Sequence, residues 1–146
     1  MLNGEKIPVF NHGKMIRDFT YIDDIVEGII RVIDKPAVPD PEFSHEDPVP
    51  SSSDAPYRIY NIGNGRPVEL LRYIEVLEDS LGVKADMDML PMQDGDVKAT
   101  TADTSALERD FAYKPWITVE QGLSEFASWY REYYGIKESV QVLRNT

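Results

Sequence analysis

The sequence predicts an α/β fold, because short extended patterns alternate with longer helical ones along its 146 residues. Apolar runs typical of β-strands are found at residues 7–10, 57–62 and 87–90. Apolar residues at helical spacing follow these runs at residues 23–34, 67–81 and 119–134. A hydrophobic content of 42% is sufficient for a buried core and argues against a disordered chain.

The first strand is predicted at residues 7–10, where Pro8 restricts it to a sheet edge or a strand start. A turn is expected at residues 11–14. Phe19 and Tyr21 then alternate with polar neighbours, which indicates a brief extended segment.

The first helix is predicted from Asp23 and should end before Pro36. Its apolar stripe consists of Ile25, Ile29, Val32 and Ile33. Asp23 or Asp24 can cap its N-terminus and interact with the positive end of the helix dipole. Residues 36–56 follow with six prolines, three consecutive serines and no periodicity, which predicts a mobile surface loop.

The second half of the chain repeats the alternation. The strand predicted at 57–62 ends in a glycine turn at 64–65, and Pro67 is expected at the first position of a helix that Gly82 closes. A further strand is predicted at 87–90.

Two more helices are predicted towards the C-terminus. Asp103 or Thr104 can cap a short helix through Leu107. Thr118, with a glutamine three residues later, matches a capping box and begins a long helix that Gly135 ends. The inner face of this long helix is expected to consist of Val119, Leu123, Phe126, Ala127, Tyr130 and Tyr134.

The net charge of −11 argues against nucleic acid and anionic membranes as partners, because both repel an acidic surface. The absence of cysteine excludes disulfides and thiolate metal sites and suits a reducing compartment. No leader sequence and no apolar run of the roughly 18 residues needed for a membrane span is found. We therefore expect a cytoplasmic protein.

Arg17 is the most informative candidate for a binding residue, because it stands just before an aromatic segment and the acidic start of a helix. Its planar guanidinium can donate two hydrogen bonds to one phosphate. A structural ion pair with Asp18, Asp23 or Asp24 is the alternative.

Two carboxylates, Asp94 and Asp96, lie on a predicted turn at residues 91–97. Paired acids can transfer protons or bind a divalent cation, but the ligand density of a calcium loop is missing, so we predict no metal site. Two interpretations remain open for this turn. Its aspartates bond to their own backbone, or they contact sugar hydroxyls.

A complete glycine-rich dinucleotide-binding fingerprint is not found. One Gly-x-Gly, at Gly63 and Gly65, lies between a predicted strand and a helix but lacks the third glycine of the fingerprint. Neither Tyr57 nor Tyr60 is followed by the lysine of a Tyr-x-x-x-Lys pair. The two histidines have no partner at nucleophile–base spacing, so neither is assigned a role.

Several sequence blocks occur in an order typical of one enzyme family. They run from Met15 to Gly28, from Tyr60 to Asn64, from Leu90 to Val97 with Ala102 and Asp103, and through Trp129 and Tyr130. Together they resemble the C-terminal portion of nucleotide-sugar epimerases of the extended short-chain dehydrogenase/reductase type. The most similar subgroup is the UDP-glucuronate 4-epimerases, and the resemblance covers about residues 2–135.

The resemblance implies the C-terminal part of a Rossmann-type α/β fold. Residues 1–135 would be the substrate-binding portion, with elements of the sugar-binding lobe and late elements of the nucleotide-binding sheet. The N-terminal NAD-binding core would be lacking. The loop at 36–56 would interrupt this portion, and residues 136–146 would be a frayed tail.

The resemblance also implies roles for five residues. Val9 and Phe10 would lie along the uracil, Arg17 would contact the diphosphate, and Asp96 would bond to the ribose hydroxyls. Gln93 stands where related galactose epimerases carry a second phosphate-binding arginine, so the diphosphate would receive one fewer positive charge.

The parent reaction of the family is an isomerisation used in polysaccharide biosynthesis. It converts UDP-glucuronate to UDP-galacturonate through a 4-keto intermediate, with NAD as the redox cofactor. In the family, the NAD loop and the catalytic tyrosine–lysine pair belong to an N-terminal half that this sequence does not match, so we expect this chain alone to bind no NAD and to be inactive. Its expected partners are a UDP-sugar and a separate N-terminal half or a second copy. The alternative is a non-catalytic UDP-sugar-binding or interaction module, or a truncated remnant.

Overall fold

The computed structural model describes residues 1–136, so all but the first residue of the predicted frayed tail lies outside the described residues. In chain order its elements are β1 (Ile7–Val9), β2 (Ile16–Arg17), α1 (Ile22–Asp34), β3 (Val68–Glu69), α2 (Leu70–Leu81), β4 (Met87–Met89), α3 (Ser105–Phe111) and α4 (Val119–Tyr134). The predicted strands at the positions of β1 and β4 are confirmed, as are the helices.

The strands form two small sheets. β1 pairs in parallel with β4, and β2 pairs antiparallel with β3. Residues 98–100 run along the other side of β2, where the backbone of Ile16 exchanges hydrogen bonds of 2.9 and 3.2 Å with them. Each pairing joins segments that are distant in the sequence, so the sheets fix the relative positions of both halves of the chain.

The core lies between the helices and these sheets. α2 packs against α4, and α1 packs against α3. The buried apolar residues are Val9, Met15, Ile74, Val76, Leu81, Leu107, Tyr113, Ile117, Leu123 and Ala127. Within residues 1–136, no helix has the length and apolar character needed to cross a membrane.

α1 begins one residue earlier than predicted, and its N-terminus has no side-chain cap. Tyr21 occupies the N-cap position without a capping hydrogen bond. The predicted cap by Asp23 or Asp24 is therefore wrong. Asp24 is buried instead, and its carboxylate accepts hydrogen bonds from the Tyr113 hydroxyl and the Ile117 amide.

The apolar face of α1 points away from the described core. Its exposed side chains are Ile22 (60%), Val26 (45%), Ile29 (45%), Ile30 (48%) and Ile33 (68%). The buried positions of the helix are Asp24 and Gly28, on the opposite side. Two residues of the predicted stripe, Ile29 and Ile33, are thus exposed, because the elements that contact α1 pack on its other face.

Residues 57–62 do not form the predicted strand. An isolated bridge joins Arg58 to Ser52, and no strand of the described chain pairs with the remainder. The loop at 36–56 contains no helix or strand, and it is tied down by an Asp40–Arg58 ion pair of 2.8 Å. The amide of Glu42 and the guanidinium of Arg58 hold the pKa of Asp40 below its ordinary value. The mobility of this loop remains a prediction.

Several boundaries also differ from the predictions. α2 begins at Leu70, because Val68 and Glu69 pair with β2 instead of joining the helix. Pro67 therefore lies before β3 and does not occupy the first position of α2. The extended segment predicted around Phe19 lies earlier, at β2, and the Phe19 ring stacks on Tyr73 at 4.0 Å.

The C-terminal helices agree better with the sequence pattern. α3 extends beyond Leu107 to Phe111, and Thr118 caps α4 by accepting the amide of Gln121 at 3.2 Å, as predicted. Gly82 and Gly135 end their helices in left-handed conformation, also as predicted. Phe126 and Tyr134, expected on the inner face of α4, are 42% and 58% exposed.

Gly13→Ala should destabilise the fold more than Gly82→Ala. Both glycines have positive φ, 76° and 64°, so alanine costs about 1 kcal/mol or more at either position. A Cβ at Gly13 would lie 2.5 Å from Leu71 Cδ2, whereas at Gly82 it would meet nothing within 4 Å. We expect about 1–3 kcal/mol of additional loss at Gly13, measured by urea unfolding. Equal losses for the two variants would contradict this packing.

Candidate functional site

Arg17 and Asp96 meet in the structure although 79 positions separate them in the sequence. Nη2 of Arg17 donates to Oδ1 of Asp96 at 3.0 Å, and Nη1 donates to the carbonyls of Ile16 and Lys98 at 2.9 and 3.3 Å. The two side chains are 26% and 31% exposed, so the ion pair contributes only about 0–1 kcal/mol. An anion arriving from solvent can therefore compete with Asp96 for the guanidinium.

Asp18 bonds to the backbone rather than to Arg17. Its Oδ2 accepts the amides of Gly65 at 3.0 Å and Ala102 at 3.1 Å. A Cβ at Gly63 would lie 2.4 Å from the Ala102 Cβ and 3.0 Å from the same oxygen, so only glycine fits there. Asp18 thus holds the segment after Arg17 against two distant parts of the chain. Its Oδ1 is buried and has no hydrogen-bond partner among the described residues.

The acidic turn is formed as the sequence indicates. The Asp96 amide donates to the Gln93 carbonyl at 3.3 Å, and Gly95 has a φ of 83°. Asp96 Oδ1 also accepts the amide of Val97 at 2.8 Å, so this aspartate does bond to its own backbone. Gln93 and Asp94 are exposed. In residues 1–136, no group of three or more His, Cys, Asp or Glu side chains is arranged to hold a metal ion.

The end of β1 lies beside the end of β4 and leads into a strained turn. Val9 is 1% exposed, and its carbonyl accepts the Leu90 amide at 3.0 Å, so its side chain is not accessible. Phe10 is half-buried. Asn11 and His12 follow it with φ values of 51° and 50°, a conformation that costs non-glycine residues about 1 kcal/mol or more each. The uracil contacts predicted for Val9 and Phe10 stay predictions.

The Gly-x-Gly segment does not fit a dinucleotide phosphate. The Gly65 amide donates to Asp18, and the Asn64 amide donates to Thr20 Oγ1 at 3.1 Å. The Asn64 side chain donates to the Ile117 carbonyl at 2.6 Å, which closes the loop onto the core. The backbone amides of Asn64 and Gly65 are therefore hydrogen-bonded within the protein and are not available to bind a phosphate.

Asp24 and Tyr113 form a buried pair that the sequence did not reveal. The Tyr113 hydroxyl donates to the Asp24 carbonyl at 2.8 Å and to Oδ1 at 3.2 Å, and the Ile117 amide donates to Oδ2 at 3.0 Å. Burial, and then the negative charge of Asp24, raise the pKa of Tyr113 to about 12. The sequence contains one local sign of this pair, an aspartate in the first turn of a predicted helix. Its partners could not be identified from the sequence, because they lie 89 to 93 positions away.

A cavity of about 610 Å³ lies beside this pair, and Arg17 is not among its lining residues. Its walls come from the first three turns of α1, the segment after α3 and the start of α4. Four carboxylates line it (Asp23, Asp24, Glu27 and Glu125) against two cations (Arg31 and Lys114), so its lining is acidic on balance. This cavity does not suit an anionic nucleotide, so the candidate site is the Arg17–Asp96 surface.

Comparisons with known proteins show which sequences and structures this chain resembles. Residues 1–63 match the NAD dependent epimerase/dehydratase family. The chain is 52% identical over 136 residues to an uncharacterized 37.6 kDa protein of Escherichia coli O111:H-. This match covers 93% of this chain and 41% of that relative. It is 41% identical to a probable UDP-glucuronate 4-epimerase of Rhizobium meliloti, covering 90% of this chain and 39% of the relative.

A solved structure is similar over the same extent. The UDP-glucuronic acid 4-epimerase of Bacillus cereus, in complex with UDP-glucuronic acid and NAD, is 25% identical, with a TM-score of 0.70. The match covers 91% of this chain and 37% of the B. cereus protein. The predicted α/β fold and the resemblance to part of a UDP-glucuronate 4-epimerase are thus confirmed. The chain spans about two fifths of the length of these relatives.

Tyr113→Phe should lower the free energy of unfolding near neutral pH by about 1–2 kcal/mol, because Asp24 loses its hydroxyl donor. The pKa of Tyr113 is raised from 10.0 to about 12 in the folded state, so its contribution is complete below pH 10 and is lost as the pH rises towards 12. Urea unfolding across this range should show a shallower alkaline loss in the variant. Tyr133→Phe, at a side chain 69% exposed, is the control. An unchanged alkaline slope in Tyr113→Phe would contradict the assignment.

Proposed function

We propose that this chain, which resembles part of a UDP-glucuronate 4-epimerase, supplies the UDP-binding surface of such an enzyme. The parent reaction converts UDP-glucuronate to UDP-galacturonate and uses NAD to oxidise and reduce the sugar at C4. One observation carries the proposal. A guanidinium and a carboxylate suited to a pyrophosphate and a ribose, 26% and 31% exposed, are brought together from the two halves of the chain.

Each proposed contact uses chemistry that is available on this surface. Arg17 binds the pyrophosphate, because its planar guanidinium can donate two hydrogen bonds to phosphate oxygens and its ion pair with Asp96 is weak. Asp96, released from Arg17, accepts hydrogen bonds from the ribose hydroxyls. Phe10 offers a partly exposed ring to the uracil, and Gln93 offers a neutral donor near the phosphates. A main-chain contact from Val9 to the uracil would have to share the carbonyl that already accepts the Leu90 amide.

The redox step belongs to polypeptide outside this sequence. The one Tyr-x-x-x-Lys spacing in the sequence runs from Tyr133, which is 69% exposed near the end of α4, to Lys137, which lies outside the described residues. The amides of the Gly-x-Gly segment are engaged by Asp18 and Thr20. The engagement of these amides supports the proposal that this chain alone binds no NAD. Its own residues hold the nucleotide, and they neither accept the hydride nor remove the proton.

The exposed face of α1 supports a macromolecular partner. Five aliphatic side chains between Ile22 and Ile33 are 45–68% exposed, which is unusual for one face of a soluble helix. The relatives are more than twice as long as this chain, so we propose that the nucleotide-binding part of such an epimerase, as a separate polypeptide, covers this face. A second copy of the chain and a stand-alone UDP-sugar-binding module are the alternatives.

The remaining assignments follow from the same proposal. Residues 1–135 form the substrate-binding portion, and the loop at 36–56 is a mobile insertion within it. The acidic charge and the absence of cysteine support a cytoplasmic protein that binds neither nucleic acid nor membranes.

Arg17→Ala should weaken UDP binding about tenfold to a hundredfold, because a hydrogen bond to a charged group is worth about 1.5–3 kcal/mol. Isothermal titration of the purified chain with UDP measures this. Arg109→Ala is the matched control, since it removes the same charge from an exposed pair with Asp110. Equal affinities for wild type and Arg17→Ala would contradict the role of Arg17, and no binding by wild type would contradict the proposed function.

The chain alone should not convert UDP-glucuronate to UDP-galacturonate in the presence of NAD. Conversion should appear when the separately purified nucleotide-binding portion of a UDP-glucuronate 4-epimerase is added. Ile29→Asp should abolish this complementation, because it places a charge within the apolar face of α1. Val38→Asp, at a side chain 69% exposed in the loop, should not.

Product formation by the chain alone would overturn the assignment of the redox step to another polypeptide. UDP binding without complementation would instead favour the non-catalytic module. Sugar nucleotides separated by anion-exchange chromatography distinguish these results.

A further inference from the structure

The backbone pairing beside β2 places Lys98 on the same side as Arg17. Ile16 and Ala99 form a parallel bridge, so their side chains share one face of this small sheet. Because side chains alternate along extended backbone, Arg17 and Lys98 project to the opposite face. The Arg17 guanidinium donates to the Lys98 carbonyl at 3.3 Å, so it lies directly over the backbone that carries the lysine.

The charge balance of the proposed site requires another cation. Asp96 offsets Arg17 at 3.0 Å, and Gln93 is neutral. A pyrophosphate carries more negative charge than one guanidinium neutralises. Lys98 is exposed, and its ammonium has no ion-pair partner within residues 1–136. It is therefore a cation beside the site that is not already neutralised.

We infer that Lys98 is a second phosphate-binding residue, which contacts the pyrophosphate of the nucleotide from the side of residues 98–100. This inference rests on the proposed function. An ammonium on a flexible stem binds phosphate as a point charge and needs no fixed fork geometry, so an exposed lysine can close over the nucleotide after it binds. Lys98 would supply the charge that Gln93 does not.

Titration of the whole chain with UDP tests the inference. Lys98→Gln should weaken UDP binding about tenfold, and Lys98→Arg should retain most of the affinity. The dependence of the dissociation constant on NaCl concentration should become shallower in Lys98→Gln, because one ionic contact is lost. Lys114→Gln, which removes the same charge near α3, should leave both quantities unchanged.

The outcomes separate this inference from the proposed function. UDP affinity unchanged in Lys98→Gln but lost in Arg17→Ala would overturn the role of Lys98 and leave the proposed function standing. Equal weakening by Lys98→Gln and Lys114→Gln would also overturn it, since net charge would then explain the effect. Absence of UDP binding by wild type would overturn both.

Discussion

The pairing of residues 98–100 with β2 is the contact on which the candidate site depends. It brings the turn at 93–96 beside Arg17, and the carboxylate of Asp96 then reaches the guanidinium at 3.0 Å. The carboxylate of Asp18 reinforces this arrangement from the next position by accepting the amides of Gly65 and Ala102. Backbone hydrogen bonds thus set the position of the site, and the half-exposed ion pair contributes little to it.

The sequence predicted the helices well because their signals are local. The capping hydroxyl of Thr118 and the left-handed glycines Gly82 and Gly135 determine boundaries within a few residues of themselves. The strand predicted at 57–62 is wrong because strand formation depends on a distant partner, which local signals do not reveal. Its composition suits a strand, but a strand also needs a neighbour to bond with, and the described chain supplies only the bridge between Ser52 and Arg58.

The candidate site was only partly accessible to the same reasoning. Arg17 and Asp96 were each identified by residue type and by family resemblance, but their pairing was not, because it is set by contacts between segments 79 positions apart. The prediction that Asp24 caps α1 is wrong for the same reason, namely that its hydrogen-bond partners are distant in the sequence. A carboxylate in the first turn of a helix usually faces solvent, and here the distant Tyr113 and Ile117 make burial more favourable by donating to it.

The exposed apolar face of α1 is the unusual feature of the described residues. Burial of apolar surface drives folding, so a helix does not normally leave one face of five aliphatic side chains in water. Near α1, Ile62 contacts the position of Gly28 on the buried side, and the Ile59 amide donates to the Ser51 carbonyl at 3.0 Å. The exposed face of α1 is the surface on which we propose that a partner polypeptide packs. The Arg17–Asp96 surface needs no such partner for its geometry, because every bond that positions it lies within this chain.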